Sequence, residues 1–392
     1  MKKKILFVNG HLNVGGVEKS LVDLLKNIDY DLYDVDLLLF EGLGDYEKEL
    51  PQEVNVIFYD ITNTYGSIAS VLTKAIRNRD WETLKSKLVL FMANKVNNQY
   101  LKYFKHLLPI QKEYDCAIAY RVGFCADIVA YAVNALKKIC WWHHGVCNYG
   151  EDFKKNMNKT FLKMDKIVSV SQGCKQMIQE NFCLDKDAVV VIPNMIDIDD
   201  VLEKSVLFDV HFTSRYNFVT VGRLSKEKHV DNVVSIAKQL VSNGLTDFTW
   251  YIIGDGQEYE RIENLILENG LEKWIKMLGT KDNPYPYMKC STLLVHTSLV
   301  ESQCLTVLEA MALSIPCVVT NSLGPSEFII NYKNGILTSD DPKEIANCIL
   351  DILANENLYY RVSENSNETV QCNYSNSKII QMFNDLVGGT NE

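Results

Sequence analysis

Thirteen short runs of apolar and β-branched residues recur along the 392-residue chain, separated by segments in which apolar residues have helical spacing. The first seven are ILFVN (5–9), DVDLLLF (34–40), VNVIFY (54–59), CAIAY (116–120), KICWW (138–142), KIVSVS (166–171) and AVVVIPN (188–194). The other six are FVTVG (218–222), TWYIIG (249–254), WIKMLG (274–279), TLLVHTS (292–298), PCVVTN (316–321) and NGILT (334–338). Strands that alternate with helices form βαβ units, so the pattern predicts an α/β fold with parallel sheets.

The chain is long enough for two domains, because a single hydrophobic core stops growing near ~250–300 residues. A polar and acidic stretch, MIDIDDVLEKSVLFDVHFTSRY, separates the two sets of runs. We therefore predict a doubly wound domain over 1–195, a linker over 196–214 and a second doubly wound domain over 215–375. The segment 376–392 has helical spacing, and its destination is open, with packing back onto the first domain as one option.

Composition narrows the class of protein. No stretch of about 20 uncharged apolar residues is present, so no membrane-spanning helix is predicted. The basic start MKKKILFV leads straight into a glycine turn, which favours a first β-strand over a signal peptide. Eleven cysteines without framework spacing favour a reducing cytoplasm, and the formal net charge of −10 argues against nucleic-acid binding.

Three predicted strand ends in the second half have phosphate-binding chemistry. Gly222, Arg223 and Lys228 follow one strand, and the glycines of the turn Gly254–Gly256 follow the next. A helix begins near 305–307, after a third strand. Exposed N–H groups, a positive helix end and two cations together indicate a phosphate site, although Arg223 and Lys228 taken singly are compatible with a solvated surface pair.

Two glutamates stand in the otherwise apolar or small-residue stretch SLVESQCLTVLEAMALSIP, with seven residues between them. Glu301 is predicted in the loop after a strand and Glu309 about one turn into the following helix. Carboxylates accept hydrogen bonds, and sugar hydroxyls donate them, so two carboxylates beside a phosphate site suggest a nucleotide sugar. The alternative is an exposed loop acid at Glu301 and a helix-surface acid at Glu309, which its apolar neighbours disfavour.

These motifs together resemble the retaining glycosyltransferases of family 4, which have the GT-B fold. The resemblance rests on the glutamate spacing, on VGRLSKEKHVD, IIGDG and VIPN, and on the opening NVGGVEKSLVDLL, and it runs from about residue 5 to 345. It implies two Rossmann-like doubly wound domains that face each other across a cleft. It also implies a hexosyltransferase whose C-terminal domain binds a UDP- or GDP-linked sugar and whose N-terminal domain binds the acceptor.

The resemblance gives individual residues their roles. Arg223 and Lys228 match the cations that hold the diphosphate. Glu309 matches the glutamate that bonds the ribose hydroxyls, and Glu301 matches the one beside the donor sugar. Four further matches place backbone next to the donor phosphates: Gly15, Gly16, Thr306 and Val307.

The family also has a histidine near the transferred sugar, and KICWWHHGVCNYG supplies the candidates. His143 aligns best because it directly follows the strand-ending CWW, and His144 is the reserve. A rival interpretation takes both histidines with Cys140 and Cys147 as a zinc site. Those four ligands would have to converge tetrahedrally, although Cys140 is predicted inside a strand. A structural role for His143 is a third possibility.

The sequence departs from the family at three places. ESQC (301–304) replaces an EGFG-like string, so the surface next to the donor sugar should differ, with Gln303 and Cys304 as the residues concerned. His229 stands where glycine is common, and Gln257 stands where proline is common. None of these changes removes a charge needed for phosphate binding. Because two cations are present and no acidic metal triplet follows a strand, we expect a metal-independent reaction without cofactor.

Residues 71–112 carry nine Lys/Arg and two acidic residues, a local net charge of +7, among helix-spaced apolar and aromatic residues. One interpretation is an interfacial helix pair that binds anionic lipid, which would place a cytoplasmic enzyme on the inner face of the membrane. The other is a helical insertion that packs on the core and leaves a basic face in solvent. GPSEFI (324–329) resembles a variant common among capsule and cell-surface polysaccharide transferases, which indicates a glycan or lipid-linked acceptor.

Three other classes of protein compete with a transferase. A nicotinamide dehydrogenase is disfavoured because Gly10, Gly15 and Gly16 do not form GxGxxG. A nucleotide-sugar epimerase of the same architecture stays open, as does a non-catalytic partner subunit that binds the nucleotide sugar.

Overall fold

The computed structural model describes residues 2–95, 98–110 and 112–388. The chain divides into two compact units, the first built from residues up to Met195 together with those from Ile379 onward, and the second from Ile196–Lys378. Each unit contains one parallel β-sheet, and all thirteen predicted runs form strands. The predicted α/β fold with two Rossmann-like domains is therefore confirmed.

The first sheet has seven parallel strands in the order β3-β2-β1-β4-β5-β6-β7. Their bounds are β1 (Lys3–Asn9), β2 (Tyr33–Leu39), β3 (Asn55–Phe58), β4 (Tyr114–Ala119), β5 (Ala135–Trp142), β6 (Lys166–Ser169) and β7 (Val189–Val191). Side chains of β1 alternate between two hydrophobic clusters, with Ile5 and Phe7 in one and Leu6 and Val8 in the other. Burial of both faces explains why this strand is continuously apolar in the sequence.

Helices connect these strands. They are α1 (Gly16–Asn27), α2 (Ile68–Asn78), α3 (Trp81–Lys95), α4 (Phe124–Tyr131), α5 (Glu151–Phe161) and α6 (Gln172–Asn181), with an additional 3-10 helix at Asn98–His106. The basic segment 71–112 is thus helical over most of its described length, up to His106, while Val96, Asn97 and Gln111 lie outside the described residues. Its inner side chains, such as Phe104, belong to the core of the first unit.

The second sheet has six parallel strands in the order β10-β9-β8-β11-β12-β13. Their bounds are β8 (Tyr216–Val221), β9 (Phe248–Ile253), β10 (Ile275–Gly279), β11 (Leu293–His296), β12 (Cys317–Thr320) and β13 (Ile336–Thr338). The order reverses between β8 and β11, which are hydrogen-bonded neighbours. Such a reversal opens a crevice at the carboxyl ends of the two strands.

Eight helices accompany the second sheet in the described residues. They are α7 (Ile198–Lys204), α8 (Asn232–Ser242), α9 (Tyr259–Glu268), α10 (Tyr285–Lys289), α11 (Leu305–Ala312), α12 (Pro325–Phe328), α13 (Pro342–Ala354) and α14 (Glu356–Asn373). Two hydrophobic clusters form the core, one built around Phe218 and Trp250 and the other around Leu294 and Met311.

The segment predicted as a linker, 196–214, is partly helical. Its helix α7 begins after Asp197, whose side chain accepts a hydrogen bond from the backbone N–H of Asp200. Ile198 and Val201, three residues apart on one face of α7, are buried in the second unit. The acidic side chains of Asp199 and Glu203 face solvent on α7, while its buried face packs in the second unit.

The last helix, α15 (Asn376–Val387), packs in the first unit from Ile379 onward. Phe383 is fully buried and lies 6.1 Å from the ring of Phe7 and 6.0 Å from that of Tyr33. The hydroxyl of Tyr33 donates to Asn384 over 2.8 Å. Residues 389–392 of the predicted C-terminal segment lie outside the described residues.

None of the helices in the described part of the chain combines the length and the apolar character needed to cross a bilayer. All eleven cysteines are described, and each is a free thiol.

Candidate active site

The reversal point of the second sheet collects most of the predicted site residues. Lys228 lies in the loop after β8, and Glu301 lies in the loop after β11. Because β8 and β11 are neighbours where the strand order reverses, both loops border the crevice in which open parallel sheets bind ligands.

Glycines allow the loops after β8 and β9 to touch. Gly222, Gly254 and Gly256 have φ of 156°, 143° and 157°, which L side chains rarely adopt. The N–H of Leu224 donates to the carbonyl of Asp255 over 2.9 Å. A Cβ on Gly254 would lie 1.9 Å from the Gly222 carbonyl oxygen, and one on Gly256 would lie 2.3 Å from that of Leu224. Only glycine fits at both positions, so the two loops pack backbone against backbone.

The loop that carries Lys228 is attached to the loop that carries Glu301. Leu299 donates its N–H to the carbonyl of Glu227 over 2.9 Å, and the Thr297 hydroxyl donates to the carbonyl of Lys228 over 3.1 Å. These bonds hold the two loops at a fixed separation. Arg223, the other predicted cation, is exposed in the first loop.

Glu301 is 8% exposed and is bonded by two side chains. The ammonium of Lys228 lies 2.5 Å from its Oε1, and Nε2 of His296 lies 2.7 Å from the same oxygen. Burial alone would raise the pKa of Glu301, but the positive charge of Lys228 and the hydrogen bond from His296 lower it to about 2. Glu301 is therefore a carboxylate at neutral pH.

Lys228 is kept charged by the same contact. Its burial lowers its pKa, and the Glu301 carboxylate more than offsets that effect, so its pKa lies above the ordinary lysine value. The site thus contains an ammonium group beside a carboxylate before any ligand arrives.

Three potential metal ligands lie here, because His296, Glu301 and Cys304 bring one donor atom each within 4.8 Å of one another. However, Oε1 of Glu301 already accepts hydrogen bonds from Lys228 and His296. Burial, reinforced by the Glu301 charge, raises the pKa of the Cys304 thiol well above its ordinary value, which makes it a poor ligand. Lys228 supplies the positive charge at this position.

Helix α11 presents its N-terminus next to these residues. Its first-turn N–H groups, which include Thr306 and Val307, have no acceptor within the helix and carry its positive end. Cys304 precedes the helix with φ of 72°, at the position where EGFG-like sequences have their second glycine. A Cβ on Gly324 would lie 2.5 Å from the Cα of Gln303, so the start of GPSEFI packs directly against the backbone of the loop before α11.

Glu309 lies in the second turn of α11 and is 7% exposed. Its Oε1 accepts a hydrogen bond from the hydroxyl of Tyr285 over 2.9 Å. Glu309 is therefore buried, as its apolar neighbours indicate, and the alternative of a helix-surface acid does not hold. Gln303, one of the residues expected to alter the donor surface, is also buried, and the Cys304 sulfur lies 3.2 Å from Nε2 of His296.

The remaining predicted residues lie in the first unit. Gly15 and Gly16 begin α1, and a Cβ on Gly15 would lie 2.4 Å from Oε2 of Glu18. The buried Glu18 carboxylate lies 3.5 Å from Arg121, which follows β4, and Arg121 lies 3.3 Å from the ring of His11. These groups cluster at the carboxyl ends of β1 and β4, where the order of the first sheet reverses.

His143 follows β5 and is buried, whereas His144 is exposed. The ring of His143 lies 4.8 Å from that of Tyr120. Burial, with His144 and Arg121 nearby, lowers the pKa of His143 to about 3, so the ring is neutral at physiological pH. Cys140 is a buried residue of β5, and within the described residues it does not gather with His143, His144 and Cys147 into a metal-sized cluster.

The sequence patterns did not single out five residues of these clusters: His296, Tyr285, Glu18, Arg121 and His11. His296 had a signal, because it is a polar residue at the end of the apolar run TLLVHTS. Tyr285 had none, since its partner Glu309 is 24 residues away and only the folded chain brings the two together.

Two Rossmann-like units, one with glycine loops, cations and a helix N-terminus at its reversal point, define the GT-B class of fold. Residues 209–369, which form most of the second unit, match the family described as glycosyl transferases group 1.

Individual proteins that resemble this chain are described as glycosyltransferases as well. An uncharacterized glycosyltransferase of Methanocaldococcus jannaschii is 32% identical over 208 residues, which cover 52% of this chain and 54% of the relative. A UDP-Gal:alpha-D-GlcNAc-diphosphoundecaprenol alpha-1,3-galactosyltransferase of Escherichia coli is 25% identical over 56% of each chain. The chain thus spans about half the length of these curated relatives. Among solved structures, HepE of Anabaena in complex with UDP-glucose superposes with a TM-score of 0.74 at 18% identity, covering 99% of this chain and 100% of HepE.

Proposed function

We propose that this protein is a retaining hexosyltransferase that moves a sugar from a nucleoside diphosphate to a glycan or lipid-linked acceptor in cell-surface polysaccharide synthesis. The observation that carries the proposal is the pairing of Lys228 with the buried Glu301 at the reversal point of the second sheet. The Lys228 ammonium can bind phosphate, and the adjacent Glu301 carboxylate can accept hydrogen bonds from hydroxyl groups. A sugar diphosphate carries both kinds of group.

The donor that we propose is a UDP-linked hexose. The diphosphate would bind the glycine loops, Arg223, Lys228 and the N-terminus of α11, while Glu309 accepts from the ribose and Glu301 from the sugar. The UDP-glucose complex of HepE and the UDP-Gal specificity in the name of the Escherichia coli relative support uridine over guanosine.

The reaction follows from these charges. As the bond between the anomeric carbon and the phosphate oxygen breaks, negative charge grows on the nucleoside diphosphate, and Arg223, Lys228 and the helix end stabilise it. The acceptor hydroxyl attacks from the face that the diphosphate leaves, which retains configuration, and the leaving phosphate takes the hydroxyl proton. Since two cations serve the leaving group, we propose that no metal is needed, and that EDTA leaves the rate unchanged.

A panel of sugar nucleotides tests the function. Purified protein is incubated with UDP-glucose, UDP-galactose, UDP-GlcNAc and GDP-mannose, first read as thermal shifts and then by chromatography of the products. Release of UDP from one donor supports a transferase. An isomeric sugar nucleotide would indicate an epimerase, and binding without any conversion would indicate a partner subunit, so either outcome contradicts the proposal.

Variants test the proposed cations. Lys228→Ala should lower turnover by about 10²–10³-fold, the usual effect of removing one stabilising group from a developing charge. Because that variant also leaves Glu301 buried without its cation, the exposed Arg223 provides a second test with Arg223→Ala. Lys226→Ala, two residues from Lys228 and exposed, is the matched control and should keep full turnover. Normal turnover in both test variants would refute the assignment.

We also propose that the basic segment 71–112 binds an anionic membrane surface. Ile76, Trp81 and Leu88 are each 59% exposed among its cations. An apolar cavity of about 390 Å³ opens between α3 and the following 3-10 helix, lined by Leu88, Val89, Met92, Tyr100, Tyr103, Leu107, Lys85 and His106. Apolar side chains interleaved with lysines are the composition of interfacial helices.

Sedimentation with vesicles tests the membrane surface. The protein should pellet with phosphatidylglycerol vesicles at low salt, remain in solution with phosphatidylcholine alone, and be released by salt. Lys74→Ala with Arg77→Ala should weaken the binding. The control, Lys155→Ala with Lys159→Ala, removes the same charge from the exposed face of α5 and should not. Equal binding by the two double variants, or no pelleting at all, contradicts this surface.

A further inference from the structure

His296 has no role in the function proposed so far, and yet it lies in the β-sheet at the centre of the site. It is the last residue of β11, is 6% exposed, and pairs with Val319 of the neighbouring strand β12. Its carbonyl accepts a hydrogen bond from the Thr320 hydroxyl over 3.3 Å. The backbone of His296 is therefore part of the sheet, whereas the backbone of its partner Glu301 lies in a loop.

The chemistry of the contact assigns the proton. Glu301 is ionised and can only accept, so the ring nitrogen Nε2 of His296, 2.7 Å from Oε1, must carry the hydrogen and donate it. The Cys304 sulfur, 3.2 Å from the same nitrogen, packs against this bond from the helix side.

Both side-chain bonds to Glu301 fall on a single oxygen. Lys228 and His296 both contact Oε1, and within the described residues no side chain bonds Oε2. The two donors differ in access, since the Lys228 side chain is 25% exposed and that of His296 is 7% exposed. An incoming diphosphate can therefore compete for Lys228, but solvent and ligand reach His296 far less.

We propose that His296 is the positioning residue for Glu301: it holds Oε1 in place when Lys228 turns to the diphosphate and leaves Oε2 for a hydroxyl of the donor sugar. The inference rests on the proposed function. His296 does not touch the substrate in this arrangement, and it acts through the glutamate. It consequently affects recognition of the sugar and leaves recognition of the nucleotide unaffected.

The difference between sugar recognition and nucleotide recognition can be measured, and a merely structural role of His296 would not produce it. UDP should contact Arg223, Lys228 and Glu309, and only the sugar of a UDP-sugar should contact Glu301. His296→Leu, which removes the donor, should thus leave the Kd for UDP within about twofold of wild type. Its kcat should fall about 10- to 100-fold, the range for loss of one hydrogen bond to a charged group.

Conservative variants distinguish the hydrogen bond from packing. In His296→Gln an amide N–H stands near the position of Nε2 and should restore much of the kcat. In His296→Asn the amide stands near Nδ1, cannot reach Glu301, and should behave like His296→Leu. If the leucine variant does not fold, the glutamine–asparagine comparison tests the same point. Thr220→Val is the packing control, because Thr220 is equally buried on β8 and bonds the carbonyl of Val295, so this variant should lose stability and keep kcat.

The experiment uses the full chain, calorimetric titration with UDP, and steady-state kinetics with the UDP-sugar that the panel selects. The inference is overturned if His296→Leu keeps its kcat, if glutamine and asparagine give equal rates, or if UDP affinity falls in parallel with turnover. If instead the wild-type chain neither binds nor turns over any UDP-sugar, the proposed function itself fails, and the inference fails with it. The two failures are thereby distinguished.

Discussion

His143 shows at the scale of one residue how burial makes stability depend on pH. Its pKa is about 3 in the folded chain against an ordinary value of 6.5, so below pH 6.5 the unfolded chain binds a proton that the folded chain does not. The stability due to neutral His143 is complete above pH 6.5 and is lost as pH falls towards 3. We expect wild type to lose about 1.4 kcal/mol more than His143→Gln between pH 7.5 and 5.5.

Urea unfolding at the two pH values measures that difference. His211→Gln, which removes an exposed histidine, serves as the control and should follow wild type. A His143→Gln profile parallel to wild type would mean that His143 is charged, or reached by water, in the folded protein.

His229 occupies a left-handed conformation, with φ of 48°, directly after Lys228. This explains why the family commonly has glycine there, since a Cβ in that conformation costs about 1–2 kcal/mol. Glycine also gains entropy on unfolding, so His229→Gly should change stability by no more than about 1 kcal/mol, in the stabilising direction. His229→Val should be clearly less stable, because β-branched side chains fit this conformation worst.

Chemical denaturation of the two His229 variants tests the ranking, with Lys226→Gly in the adjacent 3-10 turn as a control for the flexibility of glycine. Equal stability of the valine and glycine variants would contradict the left-handed backbone.

The site residues predicted from sequence were those whose place in a strand, loop or helix can be read from the spacing of their neighbours. The loop position of Glu301, the helical position of Glu309 and the strand position of Cys140 all follow from the periodicity of their neighbours, and the structure has them there. His296 and Tyr285 are different, because each is defined by a partner that only folding supplies. A buried carboxylate needs such partners, yet their identity cannot be found by spacing alone.

At the scale of elements, the contact between the loops after β8 and β9 depends on the absence of side chains. In Gly254→Ala the new methyl group would overlap the Gly222 carbonyl, at 1.9 Å, in addition to the unfavourable φ. We expect a loss of stability at least about 2 kcal/mol larger than in Gly270→Ala, and loss of UDP binding.

Gly270→Ala is the matched control because Gly270 also has a positive φ, 63°, and a methyl group added there would have no neighbouring atom within 4 Å. It carries the conformational penalty alone, about 1–2 kcal/mol. Denaturation and titration with UDP compare the two variants, and similar losses in both would show that the loops do not need this close approach.

The strands were predicted better than helix α7, and the reason is physical. Strands buried on both faces, such as β1 and β11, leave a continuous apolar run, and the more exposed edge strand β3 is also apolar enough to be recognised. All thirteen predicted runs are strands in the structure. Helix α7 was taken for part of a linker because only two buried residues, Ile198 and Val201, mark its apolar face among acidic ones. A short amphipathic helix offers too few periods to be distinguished from a polar connection.

At the scale of the whole molecule, the chain passes from the first unit to the second near Met195 and returns at Ile379. The second unit, in which we propose the nucleotide site, is thus one continuous segment, whereas the first unit is completed by the last helix. Sequence pattern shows that α15 is amphipathic, but which surface receives its apolar face depends on tertiary packing.

Phe383→Ala tests this dependence. Phe383 is fully buried against Phe7 and Tyr33, and truncation of such a phenylalanine costs about 3–5 kcal/mol. Because α15 packs in the first unit, amide hydrogen exchange should accelerate mainly in peptides from 2–195, and less in those from 215–375. Tyr360→Ala, at an exposed position of α14, is the control and should leave both sets of peptides unchanged. Equal acceleration in both units of the Phe383→Ala variant would show that they unfold as one cooperative body, which would contradict the expected difference between the first unit and the second.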